Sequence, residues 1–233
     1  LEISLIDGRS EIEFGEFGSF TVGQNLDNGT LALINIEISN DDEVCRNSSL
    51  EILIGEPEII VDEDFESNNN WTIESTSSAG FWERAIPNAT SYEGQDVQPG
   101  YDHSENGEYC FVTGNGAADN VGFDDVDGGS TTLYSPIYDL SDYSTFIVSY
   151  WRWYTNNVGD NPDNDLWKVE ISNNAGIDWY SLEETNQTDN FWQDFQFTID
   201  SNIFDITNQI QFRFTAEDIQ YPEDGGSGGS IVE

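Results

Sequence analysis

Apolar residues recur at every second position in segment after segment of this chain, and no segment sustains a helical period. A period of two sends alternate side chains to opposite faces of a strand. Thr145–Tyr154 is apolar on both faces, with Phe146, Val148 and Tyr150 on one and Ile147, Trp151 and Trp153 on the other. Such a strand is central and covered on both sides. Trp167, Val169 and Ile171 alternate with Leu166, Lys168 and Glu170. Phe191, Phe195, Phe197 and Ile199 share a face, as do Ile210, Phe212, Phe214 and Ala216. Asn173-Asn174-Ala175-Gly176 reads as a hairpin turn. The chain is therefore expected to be all-β, an antiparallel β-sandwich of jelly-roll type.

Residues 1–57 show shorter strands, at 1–5, 17–22, 31–38 and 50–54, separated by turn signals such as Asp7-Gly8 and Asp27-Asn28-Gly29. They predict a small Ig-like or fibronectin-like β-domain. Four strands are too few to close one, so it is expected to be incomplete. Gly55-Glu56-Pro57 marks the boundary, and 58–233 form the second domain, whose first strand is expected to open with Ile59, Ile60 and Val61 and to resume at Trp71-Thr72-Ile73. Residues 85–100 read as loop, broken by Pro87 and Pro99.

Charge narrows the partners. Six Lys and Arg face 46 Asp and Glu, a formal charge of −40. Nucleic acid is excluded, because phosphates need cationic side chains, and anionic membrane surfaces are disfavoured for the same reason. No apolar run is long enough to span a bilayer, so no membrane insertion is expected. Self-repulsion of this size calls for screening or bound cations, and a saline extracellular medium supplies both. Two cysteines, Cys45 and Cys110, fall in different predicted domains and do not make a disulfide framework.

The richest stretch is 98–141, which holds His103, the chain's one histidine, and Cys110 between two Gly/Asn/Asp-rich loops. One histidine cannot build a His-Glu-x-x-His zinc site. No Gly-x-Ser-x-Gly elbow accompanies it. Carboxylate pairs are uninformative in so acidic a chain. The expectation is a non-enzyme, with His103 fixing its turn. The loop Asp125-Val126-Asp127-Gly128-Gly129 sets carboxylates beside glycines, the composition of hard-cation loops, so Asp125 and Asp127 are candidate Ca²⁺ ligands. Asp160, Asp163 and Asp165 lack the EF-hand pattern and read as a solvated loop. Among the tryptophans, Trp82 and Trp192 are the exposed candidates for ligand stacking, while Trp151 and Trp153 read as core.

These motifs resemble the MAM domain family. The matching pattern is Asp102-His103, Gly107-Glu108-Tyr109 and Leu133-Tyr134-Ser135-Pro136. It resembles more closely the MAM-like domain of secreted bacterial metallopeptidases of the zinc carboxypeptidase and immune inhibitor A classes. There the order continues through Asp125 to Gly129, Ser149 to Tyr154, Val169 to Ser172, Arg213 to Asp218 and Ser230 to Glu233. The resemblance spans about 59–233 and implies a MAM-like jelly roll. It implies Glu66, on the first strand, and Asp102, in the Asp-His turn, as Ca²⁺ ligands meeting near one sandwich edge. In the family an Asp-Asp pair follows on a final strand; that pair is absent here, so a last strand and a ligand are expected to be missing.

Together these readings predict a non-catalytic, calcium-stabilised accessory region of a secreted metallopeptidase. Its partners would be its own upstream catalytic domain and a protein or glycan at the cell surface. The alternative is an adhesive or carbohydrate-binding module of a cell-surface protein or extracellular fibre.

Overall fold

A computed structural model describes residues 30–40, 43–55, 58–67, 69–104, 106–116, 125–158, 162–219 and 230–232. The chain forms two compact units, Leu1–Ile60 and Val61–Glu233. In the first, β1 (Thr30–Asn40) and β2 (Glu43–Ile54) make one antiparallel pair. Ala32 faces Ile52 and Ile34 faces Leu50, so the period-two pattern sets this register. The strands predicted at 1–5 and 17–22 lie outside the described residues.

The second unit is an all-β antiparallel sandwich. Its strands are β3 (Thr72–Ser75), β4 (Glu83–Ala85), β5 (Thr90–Tyr92), β6 (Gln95–Gln98), β7 (Cys110–Val112) and β8 (Gly129–Tyr134). There follow β9 (Thr145–Tyr154), β10 (Trp167–Ser172), β11 (Tyr180–Thr185), β12 (Asp189–Asp200), β13 (Gln211–Asp218) and β14 (Ser230–Val232). One sheet has the order β11-β10-β13-β8-β3, the other β12-β9-β14-β7-β4. Successive strands repeatedly cross from one sheet to the other, which is how jelly rolls are wound. No described helix is long and apolar enough to cross a membrane.

The core lies between the sheets. Leu133, Trp167, Val169, Ile171, Phe212 and Phe214 come from the first sheet, with Ile210 just before β13, and Phe111, Phe146, Tyr150, Tyr154 and Ile199 from the second. Each fully buried aliphatic such as Leu133 or Ile171 contributes ~1.5–3 kcal/mol relative to exposure. Both faces of β7 are covered, and its Cys110 thiol is buried with Sγ 3.9 Å from the Ala85 carbonyl.

A buried charge network bridges the sheets. Arg152 on β9 is 1% exposed. Its Nη1 donates to Glu183 Oε1 at 2.5 Å and its Nη2 to Asp189. Tyr150 Oη and Trp167 Nε1 also donate to Glu183, and the Phe195 ring lies 4.3 Å beneath the guanidinium. Parity along β9 puts Arg152 inside, and only a partner for each charge makes that tolerable.

Three local expectations are corrected. Ile59, Ile60 and Val61 form no strand and are exposed. Glu66 sits in a bend, not on a strand, just after Phe65 at φ 55°. Residues 85–100 are not simply loop. They contain the β5–β6 hairpin, turned at Glu93 and Gly94 with φ 51° and 87°, positive at both central positions as a two-residue hairpin of type I′ requires.

Candidate functional site

The outer face of the second sheet carries the most distinctive surface. Trp153, Cys110 and Val112 project from it as a small apolar cluster, with Ala85 and Trp192 packed alongside. The β5–β6 hairpin folds over part of this cluster. Val97 is buried there, and its carbonyl accepts from Trp153 Nε1 at 2.8 Å and Thr155 Oγ1 at 2.6 Å. Beside it, His103 lies flat on Trp151, with ring centroids 3.6 Å apart and planes 13° from parallel. Trp192 stands edge-on to both His103 and Trp153, at 5.9 and 6.4 Å. His103, Trp151 and Trp192 are all half-exposed, and Tyr101 and Phe191 beside them in sequence are exposed. The result is a stepped aromatic shelf bounded by the hairpin.

The two tryptophan candidates separate here. Trp82 is not exposed but 2% accessible. Its Nε1 donates to the Thr131 carbonyl at 3.1 Å and its ring meets Trp167 edge-on. It is core, because the segment just before β4 is tied to Thr131 of β8 and sets the ring between the sheets. Trp192 is half-buried, its Nε1 enclosed without a hydrogen-bond partner. The irregularity in the β12–β9 register between Asp189 and Gln193 lets it pack toward Trp153. Sequence parity missed Trp151 and His103, because neither the stacking nor the hairpin cover is encoded locally.

A second place gathers Glu66 and Asp102. Glu66 Oε1 accepts the backbone N–H groups of Glu108 and Tyr109 at 2.7 and 2.8 Å. These donors, Glu108 first, hold its carboxyl below the usual range. Asp102 is buried. Both carboxylates crowd Gly107, where an added Cβ would lie 2.1 Å from Asp102 Oδ2 and 3.1 Å from Glu66 Oε1. Residues distant in sequence thus meet at one glycine, where any side chain would have to displace the Asp102 carboxylate.

A third place lies elsewhere in the fold, where Asp125 and Asp127 precede β8. Asp125 is 3% exposed and neither carboxylate oxygen has a hydrogen-bond partner. Burial, then the charge of Asp127, then Asp218 and Asp165, push its carboxyl up to about 7, more than its own backbone N–H offsets. Asp127 is only half-buried. Among the described residues no three His, Cys, Asp or Glu side chains form a ready-made metal cluster. Asp163 is exposed and Asp165 half-buried, while Asp160 lies outside the described residues.

No family model matches the sequence, and no curated protein sequence matches it significantly. Several solved structures have a similar arrangement of strands. One is the K1 cleaved adhesin domain of Lys-gingipain from Porphyromonas gingivalis W83. It is 13% identical, with a TM-score of 0.44 over 72% of this chain and 91% of that one. Another, from the β-sandwich superfamily of carbohydrate-binding modules of promiscuous specificity, is 10% identical. Its TM-score is 0.41 over 87% of this chain and 72% of that one. A third, a carbohydrate-binding module TmCBM61 in complex with β-1,4-galactotriose, is 15% identical. Its TM-score is 0.37 over 71% of this chain and 85% of that one. Likeness of this degree decides neither family nor ligand.

Proposed function

We propose that the sandwich is a non-catalytic adhesive or carbohydrate-binding module acting outside the cell or at its surface. The observation that carries this reading is the aromatic shelf of His103, Trp151 and Trp192 on the outer face of the second sheet. Sugar rings offer apolar C–H faces to aromatic rings and hydroxyls to polar neighbours, and half-exposed aromatics beside a polar strand supply both. Asp194 and Gln196 of β12 are the exposed polar neighbours. The excess of carboxylates favours a neutral glycan over an anionic one. The chain's one histidine lies flat against Trp151, which suits a shaping role better than proton transfer.

The test is a titration of the protein with neutral oligosaccharides chosen from a glycan array. Each aromatic contact is worth ~0.5–1.5 kcal/mol, roughly two- to tenfold in Kd. Trp192→Ala and Trp151→Ala are expected to weaken binding by about that much each. Ile203→Ser, at the opposite end of β9, is expected to leave it unchanged. No saturable binding to any neutral glycan would end this reading.

The meeting of Glu66 and Asp102 at Gly107 favours a second reading. In it the module is a MAM-like, calcium-stabilised accessory region of a secreted metallopeptidase, and these two carboxylates hold the ion. The coding sequence around this region discriminates. A zinc carboxypeptidase-like domain supports the accessory role, and tandem β-repeats support the adhesive one.

A further inference from the structure

Asp125 has been placed where an ionised carboxylate is least at ease, and the fold fixes it there. The segment before it in space is clamped to the loop. Ser78 N–H donates to the Asp127 carbonyl at 2.7 Å, and Ala79 bridges Asp127 in antiparallel fashion. Gly80, at φ +66°, comes so close that a Cβ there would lie 2.3 Å from the Asp125 carbonyl carbon. With its backbone held from outside, the Asp125 side chain is turned inward, and its two oxygens meet no donor.

What it meets is more carboxylate. Asp218 ends β13 opposite Gly129 and is 2% exposed. Its Oδ2 accepts from Gly128 N–H at 2.9 Å. Asp165, just before β10, lies within side-chain hydrogen-bonding range of Asp218. Asp127 completes the group. The charges that bear most on Asp125 all share its sign. Lys168, three residues beyond Asp165, is engaged with Glu217 at 2.8 Å. Three elements that are remote in sequence thus bring four aspartates to one end of the sandwich, two of them buried. Burying an isolated carboxylate without donor or counter-charge costs several kcal/mol, and a shared proton or a bound cation removes that cost.

We propose that Asp125 and Asp218, with Asp127 and Asp165 at the mouth, hold a divalent cation of the calcium class. Carboxylate oxygens and loop carbonyls are the ligands such hard cations take. Asp127 and Asp165 are only half-buried, which leaves their side chains room to swing in on the ion. This site is separate from the Glu66–Asp102 corner and independent of the glycan shelf.

The experiment uses the whole chain and calcium chloride alone, with melting curves and isothermal titration at matched ionic strength. Extracellular modules bind Ca²⁺ with Kd on the order of 10⁻⁴ to 10⁻³ M. About 10 mM Ca²⁺ would then raise the folding equilibrium constant roughly 10- to 100-fold. Asp125→Asn is expected to melt higher than wild type in EDTA, since a buried repulsion is gone, and to lose this calcium increment. A merely structural aspartate would not give that crossing. The double variant Asp127→Asn/Asp165→Asn, at less buried positions, is expected to bind calcium at least tenfold more weakly, and serves if Asp125→Asn does not fold. Glu66→Gln is expected to keep the increment. Equal melting with EDTA and calcium overturns the proposal. So does a full increment in Asp125→Asn or in the double variant. An increment lost in Glu66→Gln alone places the ion at the other corner and also overturns it, while leaving the glycan reading untouched.

Discussion

At the scale of single residues, the side chains that matter most are those whose partners come from another strand. Arg152 is the clearest case. Its Glu183 partner lies on β11 in the opposite sheet, and both are nearly inaccessible. Arg152→Ala leaves Glu183 buried without its cation and is expected to cost about 3–5 kcal/mol, read from urea unfolding. Arg152→Ala/Glu183→Gln should recover part of that loss, because the stranded charge is gone. Trp82→Ala is expected to cost ~3–5 kcal/mol as well, through the cavity left against Trp167 and the lost bond to Thr131. Glycan affinity of the folded fraction should not change, in contrast to Trp192→Ala. Composition could name Trp82 and Trp192 as tryptophans in polar company; only the burial of the Trp82 ring between the sheets, against Trp167, separates them.

At the scale of elements, two glycines with the same backbone handedness have different tasks. Gly94 turns the β5–β6 hairpin at φ +87°, and a Cβ there would meet nothing within 4 Å. Gly94→Ala therefore costs only left-handed strain, about 1–2 kcal/mol. Gly80, at φ +66°, abuts the backbone of Asp125 and Val126, where a Cβ would intrude to 2.3–2.4 Å. Gly80→Ala must displace the loop, so it is expected to lower the melting temperature further than Gly94→Ala does. It should also blunt any calcium response. Differential scanning calorimetry of the two variants checks the order. The hairpin itself escaped the sequence reading because its strands are three and four residues long and polar. Their pairing is rewarded by what they cover, Trp153 through the Val97 carbonyl, rather than by their own pattern.

At the scale of the whole molecule, charge dominates. The cations of the sandwich are all engaged: Arg84 with the Phe65 carbonyl and the Tyr109 ring, Arg152 and Lys168 in ion pairs, and Arg213 with Glu170 and the Trp179 ring. Most of the 46 acidic side chains therefore have no internal counter-charge. Raising NaCl from about 0.02 to 0.5 M is expected to raise the melting temperature, as the Debye length falls from tens of ångströms to a few. Screening eases repulsion between exposed carboxylates but barely reaches a buried one. What the sequence alone determined is the all-β class, the long strands β9, β10, β12 and β13, and the formal charge of −40. Each follows from local periodicity or from a sum over residues, and neither needs the chain to be folded. The tertiary structure decided which tryptophans are surface, how His103 comes to lie on Trp151, and that Asp125, Asp165 and Asp218 meet. Those contacts join residues 40 to 93 positions apart, brought together by strands crossing between sheets, and no local pattern of side chains encodes a crossing.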